Sequence, residues 1–228
     1  MTDWFAGEVA ERYDQSTAGM PVEPVVDFLE PLAAGGALEL AIGTGRIAVP
    51  LAERGVRVAG IDFSPDMVAQ LQQKTDEIPV AIGDMTTTKV DGTFSLAYVV
   101  FNSINNVTTQ EGQAAVFANV AAHLDPGGCF VVEVGVLNQQ PLEVFDLTDT
   151  HVGVDEFDAD TQRLVSHHFS FVDGDWRRLS MPFRAVSPAE LDLMARLAEM
   201  ELRERWGDWD HSPFTAESTK HVSVWEKS

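Results

Sequence analysis

The sequence predicts an α/β fold, a mostly parallel sheet with helices on both faces. Three observations carry that reading. A short apolar strand at 37–42 runs directly into Gly43-Thr-Gly45 and then into a helical segment from Ile47. Apolar strand patterns alternate with helical ones from there to Val134, the rhythm of parallel strands joined by crossover helices. Two closing strands, 202–206 and 221–225, are joined by about a dozen residues with no helical period, so they pair antiparallel.

The elements follow in order. Trp4, Phe5, Val9 and Tyr13 share one helical face, Met20-Pro21 breaks the pattern, and Val25, Val26, Phe28 and Leu29 resume it until Gly35-Gly36. This leading helical segment, 1–36, is placed to act as a lid over the glycine turn, with Tyr13 as its contact; the competing reading is a helix that only covers the sheet. The glycines at 43 and 45 permit positive φ and close approach of backbone to a ligand. A second strand, 56–61, ends at Asp62-Phe63, after which Ser64 is a helix N-cap with Pro65 in the first helical position. A short strand at 79–82 ends at Asp84-Met85, and the longest apolar strand, 94–101, ends at Phe101 before the polar loop 102–106. Thr108 and Glu111 have capping-box spacing for a helix from Gln110 to His123, whose terminal histidine is read as a partner of the helix dipole. Residues 129–134 form the fifth strand.

The alternation stops at 137–186. Residues 143–160 are acidic with little apolar period and read as loop, whereas 163–172 and 176–186 read as strands around the hairpin turn Asp173-Gly174. This insertion is expected to shape an acceptor site, while 37–136 and 187–228 form the main sheet. Ser187-Pro-Ala-Glu190 is a second capping box with proline at its first helical position.

Bulk properties exclude several classes. The net charge of −21, from 36 acids against 15 Lys and Arg, repels phosphate backbones and anionic membrane surfaces. Nucleic acid and membrane are therefore not expected partners. The single cysteine, Cys129, lies in an apolar strand pattern and reads as a small core residue. No apolar run approaches the ~20 residues of a membrane span, and the start lacks a signal-like pattern, so a cytoplasmic location is expected. No metal-ligand spacing is present, so no metal is expected.

Ligands of open α/β sheets bind at the carboxyl ends of the strands. The sequence places Gly43 and Gly45, Asp62, Asp84 with Met85, and Phe101 there. Gly43-Thr-Gly45-Arg-Ile-Ala48 satisfies the dinucleotide fingerprint, and Asp62 suits a ribose hydroxyl pair in either a dinucleotide or an adenosyl cofactor. Asp84 can accept from an adenine amine, and Met67 and Met85 can sandwich the ring or simply fill core. Acids at successive strand ends repel a diphosphate and suit a cation, which favours S-adenosylmethionine over NAD. An NAD-dependent oxidoreductase would want a catalytic Tyr/Lys or His/Asp set, and only two tyrosines exist, Tyr98 lying within an apolar strand. A non-catalytic cofactor-binding protein of the same fold is the third possibility.

Glu39-Leu-Ala-Ile-Gly43-Thr-Gly45-Arg46, followed by Asp62, Asp84 and Leu124-Asp-Pro-Gly-Gly128, resembles the class I S-adenosylmethionine-dependent methyltransferases over about 37–135 and again over 187–226. The resemblance implies a Rossmann-like, seven-stranded, mostly parallel sheet with a final antiparallel strand, and transfer of a methyl group to a small-molecule O or N acceptor. It implies that Glu39 orders the glycine loop or the amino-acid end of the cofactor, that Asp62 binds ribose, that Asp84 with Met85 meets adenine, and that Phe101 lines the methionine portion; Phe63 and Met67 are counted with these as cofactor-binding candidates. Tyr13 is similar to the leading-helix aromatic of small-molecule members. Ala41 stands where the family often has glycine, so its methyl narrows the approach. A base is needed only if the acceptor carries a proton at attack. His167, His168 and His211 are candidates, although adjacent strand residues face opposite sides, so at most one of the first two can enter the site.

Overall fold

The computed structural model describes residues 2–136 and 140–228; Met1 and residues 137–139, where the insertion was expected to begin, lie outside the described residues. In chain order the first half runs α1 (Glu8–Thr17), α2 (Glu23–Leu29), β1 (Ala37–Leu40), α3 (Ala48–Glu53), β2 (Val58–Asp62), α4 (Pro65–Gln72), β3 (Val80–Ile82), β4 (Phe94–Val99), α5 (Gln110–Ala121) and β5 (Leu124–Gly135). The second half runs β6 (Leu142–Leu147), β7 (His151–Asp158), β8 (Arg163–Val172), β9 (Asp175–Arg184), α6 (Pro188–Leu197), β10 (Met200–Trp206) and β11 (Lys220–Lys227).

A seven-stranded sheet is ordered β10-β11-β5-β4-β1-β2-β3. Strands β1 to β5 are parallel, and β11 lies antiparallel to both β5 and β10. Side chains alternate across it. Leu38, Leu40, Phe130 and Trp225 pack with Phe117 and Met194 beneath α5 and α6. Tyr98 and Val131 pack with Leu29, Leu51 and Leu71 beneath α2, α3 and α4. Each fully buried apolar side chain of this size contributes roughly 1.5–3 kcal/mol. Ser64 caps α4 and Ser187 with Glu190 forms the expected capping box on α6.

Several expectations are corrected. The stretch 143–160 is not loop: β6 and β7 join β8 and β9 in an antiparallel sheet ordered β6-β7-β8-β9. A register shift between Val144 and Asp146 destroys the apolar period on β6, and cross-strand ladders rather than apolar patterning hold these acidic strands. The cap of α5 is Thr109, whose hydroxyl accepts from Gly112 N–H at 3.0 Å, one residue later than expected. His123 is no cation at a helix end. Its Nδ1 lies 2.8 Å from the Asn119 carbonyl and its Nε2 accepts from Val90 N–H at 3.1 Å, so the ring is held neutral. Burial pushes its pKa down. Strand β5 starts at Leu124, ahead of the expected Cys129. Among the described residues no helix is long and apolar enough to cross a membrane.

Candidate functional site

Strands β1, β2, β3 and β4 end on one cavity of about 340 Å³. It is lined by Glu39 and Ala41, Gly43, Asp62 with Phe63, Met67, Asp84 with Met85, Phe101 and Tyr13 of α1, all expected from the sequence. Gly45 does not line it. Its φ is +78°, and a Cβ there would meet the Leu71 side chain at 2.9 Å, so this glycine serves the packing of the loop on α4. Ala41 adopts φ +54°, which favours glycine and ends β1.

The carboxylates are held differently. Asp62 Oδ2 accepts from Gly43 N–H at 2.7 Å and Oδ1 from Ser64 N–H at 2.8 Å. Each oxygen keeps a lone pair free, enough for a vicinal diol. Burial raises the Asp62 pKa, and those amide bonds oppose the rise. Asp84 Oδ1 accepts from the Thr86 amide and hydroxyl at 2.8 and 2.7 Å. A carboxylate has a second oxygen that can accept from a further donor. Glu39 is buried beside its register partner Tyr98, whose hydroxyl donates to Oε2 at 2.9 Å. Desolvation lifts Glu39 to about 8, against the pull of the Tyr98 bond and Arg46. A cation in the cavity reverses that balance.

The two glycine amides of the turn are already bonded within the protein. Gly43 N–H is bonded to Asp62, and Gly45 N–H donates to the Ile42 carbonyl at 3.0 Å. A phosphate cradle needs such amides free to face the anion. The donor set and the acid-lined wall fit an adenosyl group carrying positive charge.

The structure adds residues that sequence reading missed. Arg46 lines the cavity, its guanidinium 5.6 Å from the centre of the Phe101 ring. Its place directly after Gly45 was the available signal. Trp4 and Phe5 close one side, and Pro182 of β9 contributes from the second sheet. Asp14 ties α1 to the glycine loop, accepting from the Thr44 hydroxyl and pairing with Lys74, each at 2.5 Å. Lys74 Nζ also donates to the Thr44 carbonyl at 2.7 Å. Phe101 and Asn102 both have positive φ, +56° and +60°. Glu133 Oε2 accepts from Phe101 N–H at 2.9 Å, and Asn102 Oδ1 accepts from Gly135 N–H at 2.6 Å, which hold this strained pair beside the cavity.

None of the three candidate histidines lines the cavity. His211 stacks on Phe28 at 4.8 Å and meets Trp206 edge-on, as loop packing. His168 lies between His151 Nε2 at 3.1 Å and the Ser166 hydroxyl at 3.3 Å. His167 Nδ1 lies 2.8 Å from the Ser180 hydroxyl and its Nε2 3.6 Å from Glu156. Among the described residues no group of three or more His, Cys, Asp or Glu side chains could hold a metal.

Comparison with known proteins agrees with this geometry. Residues 37–128 match the model of a methyltransferase domain. A putative methyltransferase, YqeM, of Bacillus subtilis is 32% identical over 55% of this chain and 53% of its own length. A dTDP-3-amino-3,4,6-trideoxy-alpha-D-glucopyranose N,N-dimethyltransferase of Streptomyces venezuelae is 26% identical over 69% of this chain and 64% of its own. The chain thus spans about half to two thirds of the length of these curated relatives. The solved structure of the CcbJ methyltransferase from Streptomyces caelestis superposes with a TM-score of 0.88 at 30% identity, covering 100% of both chains. The acid-lined cavity, the strand order and this full-length likeness place the chain in the class I S-adenosylmethionine-dependent methyltransferases.

Proposed function

We propose that the chain methylates a small molecule at nitrogen or oxygen, using the cavity over the glycine turn to hold S-adenosylmethionine. The observation that carries this reading is the set of strand-end carboxylates around one cavity, with both glycine amides already bonded inside the protein. In this reading Asp62 accepts from the ribose hydroxyls, Asp84 from the adenine amine, and Met67 and Met85 bracket the ring. Glu39 faces the cationic end, and Arg46 suits the carboxylate of the amino-acid portion. When bound, the cofactor supplies a methyl carbon made electrophilic by a sulfonium. The protein's own work is to orient both reactants and exclude water, an effect that can supply roughly 7–11 kcal/mol of barrier reduction. Tyr13, Phe101 and the Trp4-Phe5 pair form the apolar shield, with segment 1–36 as lid and segment 137–186 shaping the acceptor side.

A nitrogen acceptor is favoured by the Streptomyces venezuelae relative, whose name specifies N,N-dimethylation of an amino sugar. Calorimetric titration with S-adenosylhomocysteine and NADH tests the cofactor assignment. Binding of the first and not the second is expected. NADH binding in its place overturns the reading. Asp62→Ala should weaken S-adenosylhomocysteine binding roughly 10- to 100-fold, the cost of losing hydrogen bonds to a charged group, while circular dichroism shows the fold retained. Unchanged affinity would count against the ribose assignment.

A further inference from the structure

The register of the second sheet separates the histidines. Among the described residues, Pro182 is the position of that sheet that lines the cavity. Val165 pairs with Pro182, and His167 with Ser180. Strand alternation therefore puts Pro182, Ser180 and His167 on one face, and His168 on the other. Arg184, two residues beyond Pro182 on that same face, bonds Gln113 of α5 at 2.6 Å and Glu190 of α6 at 2.8 Å, so this face is turned toward the body of the protein. In the other direction β9 reaches Arg177, which bonds Glu8 at the start of α1 at 2.8 Å. His167 and Ser180 thus lie on the face that Pro182 presents to the cavity, whereas Arg177, an odd number of positions from Pro182, leaves β9 from the opposite face.

We infer that His167 is the acceptor-side base, contacting a small amine seated against the Pro182 face of the second sheet; this rests on the methyl-transfer reading above. With Nδ1–H donating to Ser180 Oγ, the Nε2 lone pair is free. Nε2 takes one proton from the substrate ammonium, and the nitrogen lone pair so released forms the N–CH₃ bond as the C–S bond breaks and sulfur keeps that electron pair. The Glu156 carboxylate, 3.6 Å from Nε2, stabilises the imidazolium. Arg178 shares this face on β9, while Asp155 and His168 lie on the opposite face.

The test uses the full chain with D-glucosamine, tyramine and prolinamide as acceptors. H167Q and H167A should lower kcat about 100-fold or more, a general base contributing roughly 10²–10⁴. Their affinity for S-adenosylhomocysteine should equal that of the wild type, and H168Q should keep the wild-type rate. Independently of turnover, the His167 imidazole resonance, assigned by its loss in H167Q, should shift when the best acceptor is added to the S-adenosylhomocysteine complex. A kcat within about threefold of wild type, or an unmoved resonance, overturns the role of His167 and leaves the methyltransferase reading standing. A wild type that binds S-adenosylhomocysteine but methylates none of the three amines fails the amine reading itself, and this inference falls with it.

Discussion

Glu39 is buried with the Tyr98 hydroxyl donating to its carboxyl, and its proton reports on the site. Its pKa is about 8 in the folded chain against an ordinary 4.5. Between those two values the folded state keeps a proton that the unfolded state has lost, so stability falls as pH rises through that window. Melting followed from pH 5 to pH 9 should show a declining midpoint, and Glu39→Gln should remove most of the decline. S-Adenosylmethionine should bind more tightly as pH rises toward 9, because its positive charge favours the ionised carboxylate. Ala41 offers a second test. An alanine at φ +54° carries roughly 1–2 kcal/mol of backbone strain. Ala41→Gly should recover part of it, raising denaturant stability by about 0.5–1 kcal/mol, and should widen the approach to the loop. Asp62, Asp84 and Phe101 were legible as residues of the cavity because each stands at, or within two residues of, the end of a strand. Arg46 was not, since a charged residue at a turn carries no periodic signal.

At the scale of elements, legibility followed burial. Strands β1, β2, β4 and β5 lie between helix layers and read as apolar runs. Strands β6 and β7 sit in a sheet whose first member is exposed at Leu142, Val144 and Leu147, so their acids gave a loop-like pattern. Contacts distant in sequence were illegible for another reason. The pairing of Asp14 with Thr44 and Lys74 spans residues that no local motif links. The joint between the two sheets was equally hidden. Arg184, 7% exposed in its side chain, bonds Gln113, Gln162 and Glu190 at 2.6, 2.5 and 2.8 Å. Burial works against Glu190, but the bonds from Arg184, the Ser187 amide and Gln162 draw its pKa down to about 2. Arg184→Met leaves that carboxylate inside without its counterion and should cost about 3–5 kcal/mol in thermal or denaturant unfolding. Hydrogen exchange should accelerate first in β8 and β9.

Across the whole molecule, two kinds of adhesion coexist. The main sheet and its helices are joined by apolar side chains on both faces. Helix α1 buries only Ala10 and Thr17 among its own residues and is fastened by polar and ionic contacts: Gly7 N–H to Asp66 at 2.7 Å, Glu8 to Arg177 at 2.8 Å and Asp14 to Lys74 at 2.5 Å. Dissolved salt discriminates between the two, since the Debye length shrinks from about 10 Å at 0.1 M to about 3 Å at 1 M while apolar contact is untouched. Raising sodium chloride across that range should quicken both entry and escape of S-adenosylhomocysteine in stopped-flow fluorescence while the melting midpoint does not fall, since salt also screens the self-repulsion of the −21 net charge. On that outcome the ionic medium would act as a throttle on exchange, loosening α1 without disturbing the body beneath it.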